Sequence, residues 1–219
     1  MTDLNCFLAG MIRLLMPILL VIIWHKKTGA RILPSLAALI ACFPAFITAG
    51  VIRSGFDHSD ITLFYIKQGI LYGIFEECTK FLVLRYLLTS CDDCKDAVAY
   101  GIGHSAFEEI GAGFACLELI GTGRAAHDIL FWNLLSALSG TLFVVSLTVI
   151  IFYGIHNGKD GVMLLTAVIF HAVGNAVTGL FSFSEAIVTV FNTILIAVEC
   201  FIAYHCWKNM QQSYAETQR

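Results

Sequence analysis

Three short runs of this 219-residue chain place carboxylates, imidazoles and an amide inside otherwise apolar sequence. The first holds Glu76, Glu77 and Lys80, the second His104, Glu108 and Glu109, and the third His171 and Asn175. Residues four apart share one face of a helix, so Glu76 with Lys80, His104 with Glu108 and His171 with Asn175 each form a polar stripe. A carboxylate beside an imidazole binds and deprotonates water, while a second imidazole with an amide stabilises a developing oxyanion. That is the inventory of a hydrolase. Glu76, Glu77, His104 and His171 could equally hold a zinc ion with an open position for water. Neither histidine pair has the compact H-E-x-x-H spacing, so metal-dependent and metal-free activation of water both stay open.

The elements that must position these residues are membrane helices. With 58% hydrophobic and 13% charged residues, the chain is more apolar than one soluble core of this length requires. A net charge of −3 with dispersed basic residues gives no basic stripe for nucleic acid, so the expected partner is membrane lipid. A bilayer core of about 30 Å takes roughly 20 helical residues. The sequence divides into about seven such spans, at 6–24, 32–52, 61–89, 97–120, 129–154, 162–181 and 186–206, within one integral membrane domain over 1–219. The expected fold is therefore all-α, a polytopic transmembrane helix bundle. Arg13 inside the first apolar run and the lack of a small-residue cleavage site mark that run as a retained span. Six of the eight cysteines lie in apolar runs, where reduced thiols act as small hydrophobes.

Basic residues favour cytoplasmic connectors. Lys26, Lys27, Arg31, Arg85, Lys95, Lys159, Lys208 and Arg219 fall on one side and Arg53 and Arg124 on the other, which predicts an outside N-terminus and a cytoplasmic C-terminus. At about 1.5 Å per residue, Glu77 lies roughly 18 Å, His104 roughly 10 Å and His171 roughly 14 Å from the cytoplasmic ends of their helices. One cavity in the cytoplasmic half is expected to contain all three. Gly69/Gly73 and Gly101/Ser105 repeat small residues at the spacing that lets membrane helices approach closely, which suggests contact between the third and fourth helices.

At Glu-Glu-Cys-Thr-Lys (76–80), Gly-His-Ser-Ala-Phe-Glu-Glu (103–109) and His-Ala-Val-Gly-Asn (171–175), the chain resembles the YhfC family of intramembrane metalloproteases. It is more distantly similar to PrsW and the CAAX prenyl endopeptidase superfamily. The resemblance implies a CAAX-protease-like core and an intramembrane endopeptidase acting on a membrane-associated peptide or protein. It assigns Glu76 or Glu77 with His104 to water activation and His171 with Asn175 to the oxyanion; Lys80, Glu108 and Glu109 are read beside them as supporting residues. Lys80 stands where PrsW-like motifs carry lysine and CAAX-protease motifs arginine, so the narrower CAAX-processing group is not implied.

Plainer readings compete. Charged groups at mid-membrane cost at least about 2.5–3.5 kcal/mol each, and Glu76 and Lys80 could form a salt bridge that lowers this cost. Glu108 could satisfy His104, and Asn175 could join helices by hydrogen bonding. Arg13, Lys67, Glu118 and Glu199 read as snorkelling groups. His25, His58, His127, His156 and His205 read as solvated, and Cys91-Asp-Asp-Cys94 as an ordinary connector. Two other functions use the same residues: a proton- or ion-coupled transporter with a Glu/His relay, and a non-catalytic scaffold or immunity protein.

Overall fold

The structure is a computed structural model that describes residues 2–122 and 129–217. Arg124, His127 and Arg219, and the connector that holds the first two, lie outside the described residues. The described chain forms seven α-helices: α1 (Thr2–Thr28), α2 (Leu33–Ser54), α3 (Ile61–Leu82), α4 (Cys94–Glu118), α5 (Ile129–His156), α6 (Asp160–Leu180) and α7 (Glu185–Thr217). It is a polytopic membrane bundle. Five of these helices are long and apolar enough to cross a bilayer, and α3 and α4 are the two that fall short. Those two carry Glu76, Glu77, Lys80, Glu108 and Glu109, so the charges that could do chemistry are what lower their hydropathy.

Local chemistry sets the helix ends. The Asp60 carboxylate accepts from the Leu63 N–H at the start of α3 and the Asp93 carboxylate from the Lys95 N–H at the start of α4, pairing donors that a helix N-terminus leaves free. Gly29 and Gly158 take positive φ, 69° and 64°, where the chain reverses after α1 and α5; a side chain is disfavoured there. The expected third span, 61–89, becomes α3 followed by a π-helical turn at Val83–Leu87. That turn carries Arg85, whose guanidinium lies 3.6 Å from the Asp160 carboxylate at the start of α6.

Helix neighbours differ from the expectation drawn from the small residues. α3 packs most extensively on α6, and α4 lies against α1, α5 and α2. A Cβ on Gly73 would meet the Ala172 nitrogen at 2.9 Å, and one on Gly69 the Ala172 carbonyl at 2.5 Å, so this pair seats α3 on α6 rather than on α4. Gly101 meets Val145 of α5, and Gly103 meets the backbone of Ser35 in α2. The spacing identified close-packed faces correctly but carried no information about which helix each face meets.

The close contacts also fix direction. Gly10 meets Gly113 and Leu117, while the Trp24 indole donates to the Lys95 carbonyl, so α1 and α4 run antiparallel. Gly73 and Gly69 meet Val168, Ala172 and Ala176 in reversed order, making α3 and α6 antiparallel as well. One end of the bundle thus gathers the α1–α2, α3–α4 and α5–α6 connectors, which hold or adjoin Arg31, Lys95 and Lys159. The buried apolar core is concentrated towards this end, in Leu84, Leu88, Val98, Tyr100, Leu147, Ile150, Phe152 and Met210.

Candidate metal centre

Glu76 from α3 and His104 and Glu108 from α4 bring one ligand atom each within 4.8 Å of one another. His104 Nε2 lies 3.2 Å from Glu76 Oε2 and 4.0 Å from Glu108 Oε1, and His171 Nε2 of α6 lies 3.7 Å from the same Glu76 oxygen. Ligands held tetrahedrally by zinc at about 2.0–2.2 Å are roughly 3.3–3.6 Å apart. The donors are those that bind zinc, and their spacing is close to that range, so the residues fit a divalent metal.

Glu77 occupies a different environment from Glu76. Its Oε1 accepts from the Lys80 ammonium at 2.6 Å and from His171 Nδ1 at 2.5 Å, and both Glu77 and Lys80 are fully buried. Glu76, by contrast, lines a cavity of about 840 Å³ together with Glu108, His171 and Asn175. The expected Glu76–Lys80 pairing is replaced by Glu77–Lys80, one residue closer along the helix. The carboxylate acceptor fixes the proton of His171 on Nδ1 in the neutral ring, which leaves Nε2 bare beside Glu76.

His104 is held from behind. Its Nδ1 lies 3.1 Å from the Cys42 thiol of α2, at a position where both groups are buried. Composition had marked Cys42 only as a small hydrophobe, and nothing in its local sequence distinguishes it from the other cysteines. A hydrogen bond to the far ring nitrogen orients a metal-binding imidazole; loss of a carboxylate or carbonyl partner typically costs about 10–100-fold in metal affinity or activity, and a thiol, a weaker partner, falls at the low end, about 10-fold. Cys42→Ala is therefore expected to weaken zinc binding by about that factor while the protein still accumulates in membranes. Zinc titration against a competing chelator checks this; unchanged affinity would show that the thiol only fills space.

Glu109 lies outside the cluster. Its carboxylate accepts from Arg13 at 2.7 Å, and the Arg13 Nε donates to Asn133 Oδ1 at 2.8 Å. Arg13 is buried by this pairing, so it does not snorkel as expected; the partner is remote in sequence and invisible to a local reading. Glu199 is also fully buried in α7, with neither carboxylate oxygen hydrogen-bonded among the described residues, contrary to its expected interfacial position. Lys67 and Glu118 are exposed, as are His25, His58, His156 and His205. All eight cysteines are free, Cys91 and Cys94 included.

The cavity extends from this cluster along α3, α4, α5, α6 and α7 away from the basic connectors, past Tyr72, Gly111, Ser139 and Thr178. The expectation that it would occupy the half nearer the basic connectors is therefore corrected. That half is filled by the apolar core.

Fold and site together define a class: a multi-pass helical membrane protein whose buried Glu and His side chains could hold a metal. The YhfC intramembrane metalloprotease family matches residues 12–121, half of the 219-residue chain. The chain belongs to that family. The matched region includes Glu76, Glu77, Lys80, His104 and Glu108 and ends before α6. The chain is also similar to the uncharacterized membrane protein YhfC of Bacillus subtilis (strain 168), with 29% identity over 142 residues, 58% of this chain and 54% of that protein. It thus spans about half the length of this relative. No solved structure matches it.

Proposed function

We propose that the protein is an intramembrane metallopeptidase that hydrolyses a peptide bond in a membrane-associated substrate. The observation that carries this reading is the convergence of Glu76, His104 and Glu108 ligand atoms within 4.8 Å beside a cavity large enough for a peptide. Membership of the YhfC intramembrane metalloprotease family supports it.

In this reading Glu76, His104 and Glu108 hold the metal. A bound zinc ion would supply Lewis acidity at the scissile carbonyl. The Glu77–His171 contact gives His171 the geometry of a base: with Nδ1–H held by Glu77, its Nε2 accepts a proton from water and returns it to the leaving amine. Asn175, on the same cavity wall, donates to the developing oxyanion. Lys80 pairs with Glu77 and holds it in place. The resemblance paired His171 with Asn175 at the oxyanion; the Glu77 contact favours dividing their roles.

The test pairs metal analysis of detergent-purified protein with comparison of membrane proteomes from cells carrying the wild type or His104→Ala. We expect about one equivalent of zinc, as a single mononuclear centre requires, to be lost in His104→Ala. A cleaved membrane protein should appear only with the wild type. Turnover by metal-stripped protein would remove the metal from the mechanism, and identical proteomes would overturn the peptidase reading.

A further inference from the structure

The cavity has a direction. Lys80, Tyr100, Leu147 and Ala167 stand one helical turn from Glu76, His104, Phe143 and His171 towards the basic-connector end, and all four have 0% exposure. One turn the other way stand Tyr72, Glu108, Ser139 and Asn175, and all four line the cavity. The cluster is thus closed on one side by four helices and open on the other along the same four helices.

The open half is lined in part by groups that suit a polypeptide. Gln68, Ser136, Ser139, Thr178 and Asn192 lie along it. A smaller groove of about 150 Å³ between α5 and α7 shares Ser136, Ser139 and Asn192 with the cavity and adds Thr189 and Thr193. An unwound peptide at membrane depth needs partners for its backbone N–H and C=O groups, whereas a lipid chain needs none. Basic connectors mark the cytoplasmic face, so the opening lies at the outer one.

We propose that the cluster receives its substrate from the non-cytoplasmic face, as an extended stretch of a membrane-anchored polypeptide lying in the α5–α7 groove. The identity of what enters rests on the peptidase reading; the open end of the bundle is given by the packing, and its assignment to the outer face by the basic connectors at the closed end.

The test uses Ser139→Cys and Asn192→Cys in the full chain, with the partly exposed native thiols Cys78 and Cys200 replaced by alanine. A membrane-impermeant methanethiosulfonate is applied to intact cells and to inverted vesicles. Asn157→Cys, in the α5–α6 connector, reports the opposite face. We expect both cavity thiols to gain one adduct in intact cells and Asn157→Cys only in inverted vesicles. Labelling of the cavity thiols from the same side as Asn157→Cys, or from neither side, would overturn the proposal. The second readout is the released fragment, expected outside the cytoplasm with the wild type and absent with His104→Ala; a fragment found only in the cytosol would also overturn it. Outer-face labelling without any cleavage would leave the direction standing and sink the peptidase reading, while cleavage with inner-face labelling would do the reverse.

Discussion

Glu76→Gln should lose metal and turnover together, and this is the largest effect expected of any single substitution in the protein. Glu76 Oε2 is approached by both His104 and His171, at 3.2 and 3.7 Å, so one oxygen links α3 to α4 and α6. An amide keeps the shape but removes the anionic donor that a divalent ion requires. The loss in zinc affinity should exceed the roughly 10–100-fold that removal of a supporting contact costs, and the rate should fall at least in proportion. Glu77→Gln gives the contrast. Its amide oxygen still accepts from His171 Nδ1, so zinc should be retained while the rate drops, because the carboxylate that faces the imidazolium as it forms is gone; the buried Lys80 ammonium loses its anion as well, so this variant should also be less stable. Zinc content and cleavage measured on the two variants side by side check the assignment. Zinc lost in Glu77→Gln and kept in Glu76→Gln would exchange their roles and end the proposed mechanism.

The sequence carried this site unevenly, for reasons that lie in what spacing encodes. An i, i+4 relation gives the face of one helix, so His104 with Glu108 and His171 with Asn175 were legible. It gives neither the rotation of that helix against its neighbours nor the identity of those neighbours. Glu76 and Glu77 point about 100° apart, and either could have faced the cavity until α6 was placed. Because Gly69 and Gly73 seat α3 on α6, Glu77 is turned to His171 and Lys80, leaving Glu76 to the cavity. Cys42, Arg13 and Glu199 were missed for a related reason. A buried cysteine, arginine or glutamate acquires its meaning from partners 62 or 96 residues away, or from having none among the described residues. The membrane class was legible because it depends on composition, to which every residue contributes. The direction of the cavity was not: depth from a helix end locates a residue, but which side of it is packed depends on the volumes of residues on four helices at once.

Lys80→Met should be strongly destabilising, and a second substitution should repair much of it. Lys80 and Glu77 form an ion pair at 2.6 Å with both side chains fully buried. Removing one member of such a pair leaves an uncompensated buried charge and costs about 3–5 kcal/mol. His171 remains beside Glu77, but it cannot replace the ammonium without taking up a proton, which would occupy the Nε2 lone pair that the mechanism uses. Lys80→Met should therefore lower both the unfolding midpoint in detergent and the rate. In Lys80→Met/Glu77→Gln no charge is stranded, and replacing both members of a buried pair is often near neutral, so the midpoint should recover most of its loss. The rate should stay low, since the carboxylate that holds His171 is then gone. Thermal unfolding and cleavage measured on the two single variants and the double variant separate the two roles of the pair. If the double variant were no more stable than Lys80→Met, Lys80 would be acting through packing rather than through its charge. If its rate recovered with its stability, Glu77 would have no part in the chemistry beyond neutralising a lysine.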